Sequence, residues 1–194
     1  MKESLVLQPN ATAQWHALIE DARQHCSISL SEDLESYLVF LLMRFANNPT
    51  IVDSIIAPDF LQNVKKLKKE NQEILKDVGD KCLLFAGFFP GQAKRRLVKI
   101  SYYVKLGQSA YSFLSESQQN QSAHLYAQLG LQFVRLMEVL QSIRELDLNH
   151  ATLELLEAEA LWTDTGNRHA LRVLRRVTKG FLIPQETNSS EIRH

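Results

Sequence analysis

The chain has 194 residues, 45% of them hydrophobic and 23% charged, and its 22 basic and 22 acidic side chains cancel to a formal charge of zero. That length and apolar content suit one well-buried core and exclude wholesale disorder, while the zero balance excludes a surface that is basic throughout and leaves only local patches. Seven glycines and five prolines are too few for an all-β sandwich, which turns about every eight to twelve residues.

The elements follow in chain order from periodicity and punctuation. Asn10 and Thr12 are rival caps for a first helix to about Cys26, with Trp15, Leu18, Ile19 and Ala22 on one face. Ser29, with Glu32 three residues on, or Ser31 opens a second helix that Asn47-Asn48-Pro49 stops. A short helix is expected over 50–57 and another over 59–77. Gly79-Asp80 either kinks this element or divides it from the apolar run 82–89, which Pro90 ends because it has no N–H to give.

Beyond Pro90, Val98, Ile100, Tyr102 and Val104 alternate as a strand would. Tyr103, Leu106, Gly107, Ala110, Phe113 and Leu114 instead recur at helical spacing, and strand partners are scarce, so a helix is expected over 100–115. A long amphipathic helix is expected over 122–146. Asn149 or Thr152 opens the next, to about Thr163, and Thr165-Gly166-Asn167 breaks it. The last helix is expected over 168–179 and ends at Gly180, suited to a left-handed cap. These elements make an all-α single domain, residues 1–183, of seven or eight helices around a central hairpin. Residues 184–194 are expected to be a disordered tail.

Two constellations stand out. Arg168, Arg172, Arg175 and Lys179 fall on one stripe of the last helix, with Leu171, Leu174 and Val177 opposite. The stripe either meets a partner or pairs with Glu154 and Glu157 of the preceding helix. Second, the Arg95-Arg96 corner lies just before Tyr102, Tyr103 and, further on, Tyr111. Cations beside aromatic rings can hold an anion, which makes these five residues a candidate pocket.

The rest is bland chemistry. Lys65-Lys66-Leu67-Lys68-Lys69 is followed by Glu70, Glu73 and Asp77, the pattern of a solvated face. The histidines form no His-Glu-x-x-His or Glu-x-x-His motif, and the nucleophile-elbow, dinucleotide and phosphate-loop glycine patterns do not occur. Neither a catalytic residue nor a cofactor or metal is expected. Cys26 and Cys82 read as buried free thiols rather than a disulfide framework. The N-terminal residues lack a secretory apolar stretch, and no apolar run approaches about 18 residues, so a cytoplasmic chain without a membrane span is expected.

Three segments, GDKCLLFAGFFP, SYYVKLGQSAY and the closing LLEAEALW–TG–RHALRVLRR pattern, resemble a group of uncharacterised all-helical proteins of proteobacteria over residues 70–183. The resemblance implies a bacterial cytoplasmic protein and assigns a role to no residue. The functional expectation is a non-catalytic regulator or adaptor working through helical surfaces, by a protein partner or by self-association. A small-molecule or enzymatic bundle with a pocket at the central tyrosines, and nucleic-acid binding through the last helix, are the alternatives.

Overall fold

The computed structural model describes residues 7–48, 72–90, 98–118, 121–148 and 153–178. Among them are eight helices and no strand: α1 (Leu7–Cys26), α2 (Glu32–Asn47), α3 (Gln72–Phe88), α4 (Ile100–Ser117), α5 (Gln121–Leu131), α6 (Phe133–Leu148), α7 (Leu155–Thr165) and α8 (Arg168–Thr178). The chain is an all-α bundle. The helix expected over 50–57, residues 59–71 of the one expected over 59–77, the caps Asn149, Thr152 and Gly180, and the tail 184–194 lie outside the described residues.

Local signals set most helix ends, with informative exceptions. α1 begins at Leu7, before both expected caps. Pro9 falls in its first turn, where no intrahelical donor is needed. Ser31, not Ser29, caps α2 with extended backbone, and its carbonyl accepts the N–H groups of Leu34 and Glu35 at 3.0 Å. α7 is capped by Glu154, whose box with Glu157 satisfies donors at both positions. Gly166 closes it at φ 69°, a left-handed cap that glycine adopts without penalty.

Two expectations need revision. α3 runs unbroken through Gly79-Asp80, because both residues are buried and used in packing. The long helix over 122–146 is instead two arms, α5 and α6, meeting at Gln132. The backbone ladder continues across that residue: Gln132 donates to the Gln128 carbonyl at 2.8 Å and Leu136 to that of Gln132 at 2.9 Å.

The α3–α4 pair is the most extensive packing in the bundle, with α5 on α4 and α6 on α3. Leu83, Leu84 and Phe85 of α3, Tyr103, Tyr111 and Leu114 of α4, and Phe133, Leu136 and Leu140 of α6 are all sealed from solvent. Each such side chain contributes roughly 1.5–3 kcal/mol by leaving water. Phe85 and Tyr103 pack with centroids 4.5 Å apart and their rings tilted by 45°. Two glycines permit this closeness. A Cβ on Gly107 would collide with the Phe133 ring, and one on Gly87 would lie 2.5 Å from Leu140 Cβ.

The Gly87 contact generates a test. Leu140 Cβ cannot move without its backbone, so Gly87→Ala should cost about 1–3 kcal/mol by overpacking. Improved helix propensity returns only about 1 kcal/mol. The expected outcome is a melting temperature lowered by several degrees, at roughly 2–4 °C per kcal/mol. Gly130→Ala, whose Cβ meets its nearest neighbours at 3.5 Å, should leave thermal melting unchanged or raise it.

Candidate functional site

Three polar constellations stand out: one internal, one at the helix junction around α8, and one beside an apolar cleft. The internal one centres on Asp80, which is 1% exposed. Tyr37 of α2 and Tyr111 of α4 both donate to its Oδ1, at 2.5 and 2.7 Å. Arg44 of α2 brings Nη2 to 3.0 Å from Oδ2. The guanidinium is held at ion-pair distance rather than by an aligned hydrogen bond. Arg44 also lies 3.6 Å from Asp77, which Lys81 pairs at 2.5 Å.

Burial is the largest influence on Asp80 and raises its carboxyl pKa above the usual range, against the two phenols and Arg44, which lower it. Burial, with the Asp80 charge beside them, likewise drives the Tyr37 and Tyr111 phenols far up, so both remain donors. The cluster fastens α2, α3 and α4 together.

The second constellation receives α8. Asn167 caps it, Oδ1 accepting the Ala170 N–H at 2.7 Å, and its amide donates to Gln141 at 3.2 Å. Glu138 accepts the Arg168 backbone N–H at 2.5 Å, a carboxylate at the positive end of the helix. Burial raises the Glu138 pKa in spite of that bond. His169 Nε2 lies 3.1 Å from Glu145 Oε1. Burial acts to raise Glu145, but the His169 ring with Arg176 and Arg172 outweighs it and holds the carboxyl below its ordinary value.

This junction revises the reading of the basic stripe. α8 turns His169, Ala170 and Val173 into the core, while Leu171 and Leu174 are only half-buried. Arg168 and Arg175 are exposed, but Arg172 reaches across to the His25 carbonyl at 3.2 Å, fastening α8 to the end of α1. Lys179 lies outside the described residues. Among the described residues no guanidinium of α8 forms an ion pair with Glu157, which serves the α7 cap. Cys26, at that end of α1, is half-buried, whereas Cys82 is sealed in the core; both are free thiols.

The third constellation is a cleft of about 290 Å³ between the start of α4 and α7. Its walls are Pro90, Val98, Ile100, Leu153, Leu156 and Leu161. At one end Ser101 Oγ donates to Asp164 Oδ2 at 2.9 Å, and Lys99 Nζ stands 3.8 Å from the same oxygen. Leu156 is 73% exposed at the rim, with Leu155 and Trp162 also exposed on α7.

The candidate tyrosines stand elsewhere. Tyr103 packs on Phe85, Tyr111 on Tyr37, Tyr126 and Phe133, and the half-buried Tyr102 sets its ring edge to face with Tyr103. None of the three lines the cleft; Arg95 and Arg96 lie outside the described residues. The sequence signal for the cleft was a surplus of apolar residues in α7. Its core contact uses only Ala158 and Leu161, leaving Leu155, Leu156 and Trp162 unspent.

The chain matches no protein-family model, no curated protein and no solved structure. No helix among the described residues is long and apolar enough to cross a membrane.

The Asp80 cluster yields a pH signature. A folded-state pKa above the unfolded value means that Asp80 contributes stability fully below about pH 3.9, and that this contribution is lost as pH rises through the folded pKa. Denaturant melts of wild type and Asp80→Asn should therefore diverge with pH, wild type losing ground relative to the variant as pH rises from about 4. A difference that grows in wild type's favour over that range would contradict the burial-dominated assignment. Asp80→Ala, which leaves the buried Tyr111 phenol and the half-buried Tyr37 phenol without their acceptor, should cost about 1–3 kcal/mol at neutral pH.

Proposed function

We propose that this protein is a non-catalytic interaction protein of the bacterial cytoplasm, and that the α4–α7 cleft receives an apolar side chain of a protein partner. The carrying observation is the cleft itself: about 290 Å³, apolar along its walls, with a largely exposed leucine at its rim. That volume lies at the lower edge of small-molecule sites, about 300–1,000 Å³, and suits an anchoring side chain. The polar end gives the anchor a direction, since Asp164 can accept from a donor or cation that flanks it. α7 carries Glu157, Glu159 and Asp164 and no basic residue, which favours a partner with Lys or Arg beside its anchor. The proteobacterial resemblance over residues 70–183 and the two free thiols support the proposed setting. Nucleic-acid binding through α8 is weakened as a reading because Arg172 is engaged within the fold.

Selection from a random library of helical peptides tests this. Wild type should enrich peptides with a large apolar residue flanked by Lys or Arg. Leu156→Glu, at a position exposed enough to leave melting unchanged, should weaken them tenfold or more, because burying one leucine is worth about 1.5–3 kcal/mol. Equal retention by the folded variant rejects the cleft as the docking site.

A further inference from the structure

We infer that the partner seated on α7 is a second copy of this chain, with its α8 laid against α7; this rests on the docking reading of the cleft. The two helices are opposite in charge. α7 holds Glu157, Glu159 and Asp164 without a base, and α8 holds Arg168, Arg172, Arg175 and Arg176 without an acid. Among the described residues these opposed charges do not consume one another: none of the three carboxylates of α7 pairs with an α8 guanidinium. Glu157 serves its cap, Asp164 meets Ser101 and Lys99, and Arg172 is spent on the His25 carbonyl.

The exposed side of α8 also has the chemistry that the α7 surface asks for. Arg168, Leu171 and Arg175 stand at i, i+3 and i+7, so a half-buried leucine lies between two exposed cations on one helical face. α7 offers the complement, with Leu155, Leu156 and Trp162 exposed around Glu159. The two helices are joined in one hairpin by Gly166. A twofold axis that sets α7 on the partner's α8 also sets α8 on the partner's α7, the self-complementary arrangement of isologous dimers. A chain with zero net charge meets its copy without long-range repulsion. Each 11-residue helix is only about 16 Å long, so the footprint is a few hundred Å² per copy. That is the small end of specific interfaces, and the association is weak, charge-steered and salt-sensitive.

Sedimentation equilibrium on the whole chain over a wide concentration range tests the pairing. Wild type should show a monomer–dimer equilibrium that shifts to monomer as salt rises. Glu159→Arg and Arg175→Glu should each raise the dimer dissociation constant roughly tenfold with melting unchanged. An equimolar mixture of the two variants should regain wild-type association, because both α7–α8 pairs then join opposite charges again. A wild type that stays monomeric, single reversals without effect, or a mixture that fails to recover would each overturn the second-copy assignment. If monomeric wild type still binds basic-apolar peptides that Leu156→Glu loses, the docking reading stands and only the second copy falls. If the charge-swapped dimer forms but Leu156→Glu leaves it intact, the cleft is not the seat, while the pairing of α7 with α8 holds.

Discussion

The carboxylate of Asp80 is the point on which the bundle depends. It lies in the middle of α3, sealed from water, and is met by a phenol from α2, a phenol from α4 and a guanidinium from α2. A carboxylate so placed must be satisfied, since an unpaired buried charge costs several kcal/mol. Its partners are therefore obligatory, and each dictates a neighbour. Tyr111 can reach Asp80 only by passing over Gly79, where a Cβ would stand 2.6 Å from its ring. The same ring then supports Tyr126 of α5 and Phe133 of α6. One polar group thereby fixes the register of α2, α3 and α4 and seats the helices outside them.

A second polar network performs the same office at the other side of α6. Gln141 donates to the Ala86 carbonyl of α3 at 3.3 Å and accepts from Asn167, which caps α8. Arg144 donates to the Phe88 carbonyl at 2.7 Å, covering an acceptor left open at the end of α3. Buried and half-buried side chains thus satisfy the ends of α3 and α8, and α8 is placed by hydrogen bonds as much as by apolar contact. Its stripe of cations divides accordingly, one arginine turned into the fold and two left outside.

α7 differs from its neighbours. It contributes only Ala158 and Leu161 to the core and leaves three large apolar side chains exposed. Burying those groups would favour folding, so their exposure has a cost in water that the core does not explain. They stand beside an apolar cleft with a polar end, which is why the proposed docking is placed on α7, with the oppositely charged α8 as its proposed counterpart. The cleft and the charge asymmetry are independent features that converge on one hairpin.

Local periodicity determined much of this protein from sequence alone. The apolar spacing of residues 100–114, the stop before Pro90, the break at Thr165-Gly166-Asn167 and the all-helical class are short-range consequences of helix geometry and backbone chemistry. The sequence also marked α8 as basic on one side. Tertiary structure decided what depends on distant pairs. Tyr37 meets Asp80 across 43 residues and Ser101 meets Asp164 across 63, and neither pairing leaves a periodic trace. For that reason Gly79-Asp80 read as a kink or a break when it is a packing seam, and Tyr103 and Tyr111 read as a pocket when they are core. Leu171 and Leu174 were placed opposite the basic stripe, and the Asn167, Glu138 and His169 contacts orient α8 so that they are half-buried while His169, Ala170 and Val173 are buried. Helix formation is a local balance, whereas the face a helix buries is chosen by the groups it must satisfy.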